Sequence, residues 1–126
     1  MKIRDAEIDN APMLAHIHAK AWQIAYQGIL PAEYLAKLSV ERSLERWNGW
    51  IARPEPGQFH LVAEVEGKGV VGFASGCPER TKAPKNWGEL TAIYLLPENQ
   101  KQRIGSALFH AVVERFMTQG YSGMIS

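Results

Sequence analysis

The chain has 126 residues, enough for one domain with a core and too few for two. Apolar residues make up 46% of it, four tryptophans add large surfaces to bury, and a formal net charge of +1 with both signs scattered leaves no basic stripe to gather nucleic-acid phosphates. The start, MKIRDAEIDNAPM, has no apolar stretch behind its basic residues and nowhere do about 18 apolar residues run together, so the reading is a soluble cytoplasmic protein with neither nucleic acid nor membrane as partner.

KIRDA reads as a first strand. The helical pattern after it carries Leu14, Ile17, Ala21 and Ile24 on one stripe, with Asp9 as N-cap, Pro12 tolerated in the first turn and Gly28 ending it. ILPAEYLAKLS and VERSLERWNGWIA read as two further helical pieces, and RPEPGQ is a break. From Phe59 the period changes to two: FHLVAEVEG and GVVGFASG form an antiparallel hairpin around residues 67–69, and GELTAIYLL is a third strand reached through the polar loop PERTKAPKN. Ile104, Leu108, Ala111, Val112 and Phe116 then recur at three- and four-residue steps, an amphipathic helix ending at Gly120, and SGMIS begins another strand. The order predicts a single α+β domain over residues 1–126, with helices on a mixed sheet and a parallel pair formed by the strand-to-helix crossover after Leu96.

The side chains narrow the chemistry. Cys77 is the only cysteine, which excludes an internal disulfide and a thiolate-rich metal site, and beside a strand it reads as a small buried hydrophobe. His16 and His18 lie two apart on a helix and point in different directions, while His60 and His110 are isolated; no metal site is expected. The stretch PENQKQRIG is more informative, because it joins a strand to a helix whose first turn holds Gly105 and Ser106. A helix N-terminus offers unpaired N–H groups and a partial positive charge, a glycine there admits a close ligand, and a serine adds a hydroxyl. On the residues alone, a solvated turn and a phosphate cradle fit equally well.

The wording LLPENQKQRIGSAL resembles the acetyl-CoA signature of the GCN5-related N-acetyltransferases, a strand ending near proline followed by Q/R-x-x-G-x-G/A. Gln100, Arg103 and Gly105 take the Q/R, first-glycine and last-glycine places, and Ser106, Ala107 and Leu108 continue in the family's style. AWQIAYQGILPAEYL, residues 21–35, is similar to the aromatic-rich turn that lines the acceptor pocket in many of these enzymes. The resemblance implies a mixed, mostly antiparallel sheet with helices on both faces. It also implies acetyl-CoA as co-substrate, with the pantetheine arm along main-chain groups of Ile93, Tyr94 and Leu95 and the pyrophosphate on the amides of Gln102, Arg103, Ile104, Gly105 and Ser106 beside Gln100. Trp22, Tyr26 and Leu30 would line the acceptor pocket, and Glu89 would be the general base, ahead of Glu98 in the loop. Strand alternation sets Glu89 on the face of Thr91, Ile93 and Leu95.

Arg103 departs from the pattern, standing where the family usually has glycine. At φ > 0 an arginine costs roughly 1–2 kcal/mol; in a helical conformation it costs nothing and its guanidinium comes within reach of a phosphate. The family's usual general acid, a tyrosine, follows the strand that begins at Met124, and the sequence stops at Ser126, so the fold is expected to be C-terminally truncated and the exposed sheet edge to favour a homodimer. The expected activity is acetyl transfer from acetyl-CoA to a primary amine of a small molecule or peptide. The alternative is a non-catalytic acyl-CoA-binding or interaction module built on the same fold. An unrelated nucleotide binder is disfavoured because neither GxxxxGK[ST] nor GxGxxG occurs.

Overall fold

In the computed structural model, β1 (Lys2–Asp5) forms the edge of a five-stranded sheet of order β1-β2-β3-β4-β5, followed by β2 (Phe59–Val65), β3 (Gly69–Pro78), β4 (Trp87–Leu95) and β5 (Gly123–Ile125). The structure describes residues 1–25, 28–29, 31, 40–78, 87–100 and 103–125; the expected helix within residues 30–39 and most of the PERTKAPKN loop lie outside them. The first three pairings are antiparallel, and β4 pairs with β5 in parallel through Trp87↔Gly123, Gly88↔Met124 and Glu89↔Ile125. This is the mixed, mostly antiparallel α+β sheet the sequence predicts.

Helices cover both faces. On one, α1 (Ala11–Ala25) and α2 (Val40–Ala52) bury Leu14, Ile17 and Trp47 against Val62, Val70 and Phe73 of the hairpin. On the other, α3 (Ile104–Thr118) buries Ile104, Leu108, Val112 and Phe116 against Phe59, Leu61, Ala74 and Leu90. Alternation along the strands produces this division, since neighbouring residues point to opposite faces. Each large side chain so buried contributes about 1.5–3 kcal/mol. α3 closes where the sequence predicts: Gly120 takes φ +87, and the N–H groups of Gly120 and Tyr121 donate to the carbonyls of Met117 and Phe116, an end that a β-carbon would strain.

Two expectations change on the α1 side. Asp9 does not cap α1; it lies in a 3-10 turn, Ile8–Asn10, in which the Glu7 N–H donates to Asn10 Oδ1 at 2.8 Å and Arg4 donates to the same oxygen at 2.9 Å. Asn10 thus does the local capping, through a side chain short enough to reach back three residues. The apolar stripe of α1 also does not end in the core. Ile24 is 51% exposed, and with Ala21 it lines the groove described next.

Candidate functional site

Three pieces of chain converge at the C-terminal end of β4. Ile17, Lys20, Ala21 and Ile24 from α1 face Ile93, Tyr94 and Leu95 of β4 and Leu96, Pro97, Gln100 and Gly105 of the following turn, around a cavity of about 400 Å³. Pro97–Asn99 forms a 3-10 turn that aims the chain into α3, and Asn99 is buried beneath it. The first bond closing α3 runs from the Ala107 N–H to the Arg103 carbonyl at 3.1 Å. The N–H groups of Ile104, Gly105 and Ser106 come before that bond, where a helix has no internal acceptors, and they carry the positive end of its dipole.

The structure therefore brings Ile93, Tyr94, Leu95, Gln100 and Gly105 to one groove. Ile104 contributes only main chain, because its side chain is buried in the α3 core; Ser106 is exposed beside Gly105, and Gln102 lies outside the described residues. A β-carbon on Gly105 would stand 3.3 Å from Leu95 Cδ1, at the groove wall. Lys20 and the exposed end of the α1 stripe were not singled out as site residues. Their signal in the sequence was a stripe running past the length the core can cover.

Arg103 settles its own alternative. It precedes α3 with φ 61 and ψ 12, the left-handed conformation that glycine takes without penalty, and its side chain is exposed. Arg103→Gly is accordingly expected to raise folding stability by up to about 1 kcal/mol, the relieved strain being partly offset by glycine's freer unfolded chain. Urea unfolding gives the midpoint that checks it; a lower midpoint would mean that contacts of the arginine outweigh the strain.

β4 has an irregularity that moves the expected base. The register passes from Gly76↔Leu90 to Ser75↔Ala92, so Thr91 is an extra residue, a bulge, and its hydroxyl donates to the Ser75 carbonyl at 3.1 Å. Alternation is broken there. Leu90 packs on the α3 side, as do Ile93 and Leu95 beyond the bulge, whereas Ala92 and Tyr94 pack on the α1–α2 side. Glu89, one residue before Leu90 and opposite Cys77, therefore faces the α1–α2 side with Ala92 and Tyr94, not the face of Ile93 and Leu95. One of its carboxylate oxygens is shut off from solvent. Cys77 is buried, as expected of a small hydrophobe.

On that same side lies a second cavity, of about 470 Å³, walled by aromatic rings from five elements: His18 and Trp22 of α1, Trp47 and Trp50 of α2, His60 of β2, Phe73 of β3 and Tyr94 of β4. Of the residues expected at an acceptor pocket, Trp22 lines this cavity, while Tyr26 and Leu30 lie outside the described residues. His18 stacks on Tyr94 with ring centroids 5.5 Å apart, and burial, reinforced by the charge of Arg46, lowers its pKa. His60, read from sequence as isolated, is 92% buried by its 8% exposure, lines this cavity, and shares a 2.6 Å hydrogen bond between Nδ1 and Ser75 Oγ. Burial pulls its pKa down to about 4, so it is neutral at pH 7. Alternation alone would have put His60 inward with Val62; its partner Ser75 needed the hairpin register, which a bulge at Ala63/Glu64 shifts. His60 Nε2 and the indole Nε1 of Trp47 are both shut off from water without a hydrogen-bond partner among the described residues, a cost of about 1–3 kcal/mol for each such group.

Known proteins bear on this arrangement. Residues 14–126 match the model of the acetyltransferase (GNAT) family. The chain is 35% identical over 122 residues to the uncharacterized N-acetyltransferase YuaI of Bacillus subtilis (strain 168), covering 97% of this chain and 68% of that protein. Its fold is similar to that of the PaiA N-acetyltransferase of Thermoplasma acidophilum in complex with coenzyme A, with a TM-score of 0.69 at 24% identity over 95% of this chain and 74% of that one. It is also similar to a probable acetyltransferase, with a TM-score of 0.76 at 19% identity over 100% of this chain and 78% of the other. The match over most of the sequence, on a fold shared with solved acetyltransferases, leads to one conclusion: the chain belongs to the GNAT acetyltransferase family, enzymes that take their acetyl group from acetyl-CoA.

Proposed function

We propose that this acetyltransferase acts on a primary amine of a small molecule or peptide, that the groove at the start of α3 holds the cofactor, and that the aromatic cavity receives the acceptor. The observation that carries the reading is Tyr94, which lines both cavities and so marks where cofactor and acceptor would meet. The groove suits acetyl-CoA by its chemistry: free helix-end N–H groups for a diphosphate, Lys20 opposite for charge, and a glycine whose β-carbon would narrow the wall. The apolar run Ile93–Leu95 suits a pantetheine arm, and β4 beyond Glu89 has no strand partner on its β5 side among the described residues.

Acetyl-CoA supplies an activated thioester. Glu89 would accept a proton from the acceptor's ammonium, directly or through a water, so that its nitrogen can attack the thioester carbonyl; the C–S bond then breaks and coenzyme A leaves as a thiolate that takes its proton from solvent. A main-chain N–H near Ile93, beside the bulge, donates to the oxygen on which charge develops.

Acetyl-CoA at 100 times its dissociation constant is expected to stabilise the protein by about 2.7 kcal/mol in a thermal shift, with free thiol released only when an amine is added. A shift without thiol release from any amine would favour the non-catalytic acyl-CoA-binding module. Absence of a shift would remove the groove assignment.

A further inference from the structure

We infer that Trp47 Nε1 and His60 Nε2 form a polar anchor for a hydroxyl carried by the acceptor, which makes the acceptor an amine with a flat apolar body and a hydroxyl away from its nitrogen. This rests on the aromatic cavity being the acceptor site. Both residues line that cavity, both are more than nine-tenths buried, and their rings meet edge to face with centroids 4.9 Å apart. The two rings that carry the atoms without partners are therefore neighbours, and the atoms differ in kind. An indole N–H can only donate, whereas a neutral imidazole nitrogen accepts when the other ring nitrogen holds the proton. The Ser75 hydroxyl bonded to Nδ1 serves either tautomer, since it accepts from Nδ1–H or donates to bare Nδ1. A hydroxyl is the small neutral group that both accepts from Trp47 and donates to His60.

Charged alternatives fit less well. Burial keeps His60 neutral, so a carboxylate placed between these rings would be desolvated with no opposing charge on either. Ser75 also fixes the anchor relative to the reaction centre, because its carbonyl accepts from Thr91 at the β4 bulge. Trp50 packs on both rings, edge-on to Trp47 at 5.1 Å and nearly parallel to His60 at 6.3 Å, and lines the same cavity half-exposed.

The test compares tyramine with phenethylamine, which differ by one hydroxyl, by calorimetry on the full chain saturated with coenzyme A, which has no acetyl group to transfer. A site built around a hydroxyl discriminates strongly against the analogue lacking it. Tyramine is expected to bind at least about tenfold more tightly than phenethylamine. Trp47→Phe, which keeps the ring and removes the donor, and His60→Leu should each bring the ratio close to one by weakening tyramine alone. Equal affinities in the unsubstituted protein, a preference that survives both substitutions, or no binding of either amine would overturn the anchor. These outcomes are separate from the acetyltransferase reading, which stands or falls on the thermal shift with acetyl-CoA and on thiol release with other amines.

Discussion

Glu89→Gln is expected to lower kcat by about 10²–10⁴ while leaving the affinity for acetyl-CoA unchanged, the range over which a positioned general base accelerates proton transfer. Glutamine keeps the shape and loses the proton-accepting charge. Glu89 sits on β4, paired with Cys77 of β3 and with Ile125 of β5, at the point where the pairing with β5 stops among the described residues. It also faces the side of the sheet that bears the aromatic cavity. Turnover equal to that of the unsubstituted enzyme at every pH would return Glu89 to the role of a strand-end carboxylate.

That facing direction was not legible from the sequence, and the reason is local. A strict period of two, applied from Glu89 to Leu95, assigns all the odd residues to one face; a single extra residue at Thr91 reverses the assignment on one side of it. Nothing in GELTAIYLL marks Thr91 as the bulge, because threonine is at home in a strand and the cause is a pairing choice with β3. By contrast, the hairpin, α3 and the parallel return to β5 were legible, since each rests on a run of periodic apolar residues bounded by glycine or proline. Gly105 and Gln100 were legible through a contiguous motif for the same reason: the groove's turn is built from neighbouring residues.

The aromatic cavity is the opposite case. Trp22, Trp47, Phe73 and Tyr94 come from four elements, and only the packing of α1 and α2 on one face of the sheet brings them together. His60 shows the limit most clearly. Its strand position gives the face, but its neutrality follows from burial beneath Trp47 and Trp50, and its bond to Ser75 from the β2–β3 register. Asp9 failed as a cap for a smaller reason: Asn10 lies one residue nearer α1 and reaches back to the Glu7 N–H, a competition between two good capping residues that propensity does not resolve.

At the groove, binding is expected to fall while the fold is kept. Gly105→Val is expected to weaken acetyl-CoA binding by about 100-fold or more, equivalent to roughly 2.7 kcal/mol and to the loss of one or two charge-assisted hydrogen bonds at the helix start. Among the described residues the new β-carbon would meet Leu95 Cδ1, at 3.3 Å, the end of a flexible side chain that must give by a few tenths of an ångström; the two further methyls would stand in or beside the cavity of Ile93, Leu95 and Gln100. Valine is a better helix former than glycine by a few tenths of a kcal/mol, so the helix itself should not suffer. Gly105→Ala, with a single methyl, should fall between the two in affinity. Calorimetric titration with acetyl-CoA, alongside urea unfolding of each variant, separates the effects. Undiminished affinity in a folded Gly105→Val protein would show that the diphosphate does not rest on the start of α3, whereas lost affinity with a lowered unfolding midpoint would point to a disturbed fold and leave Gly105→Ala, with its smaller side chain, to decide the assignment.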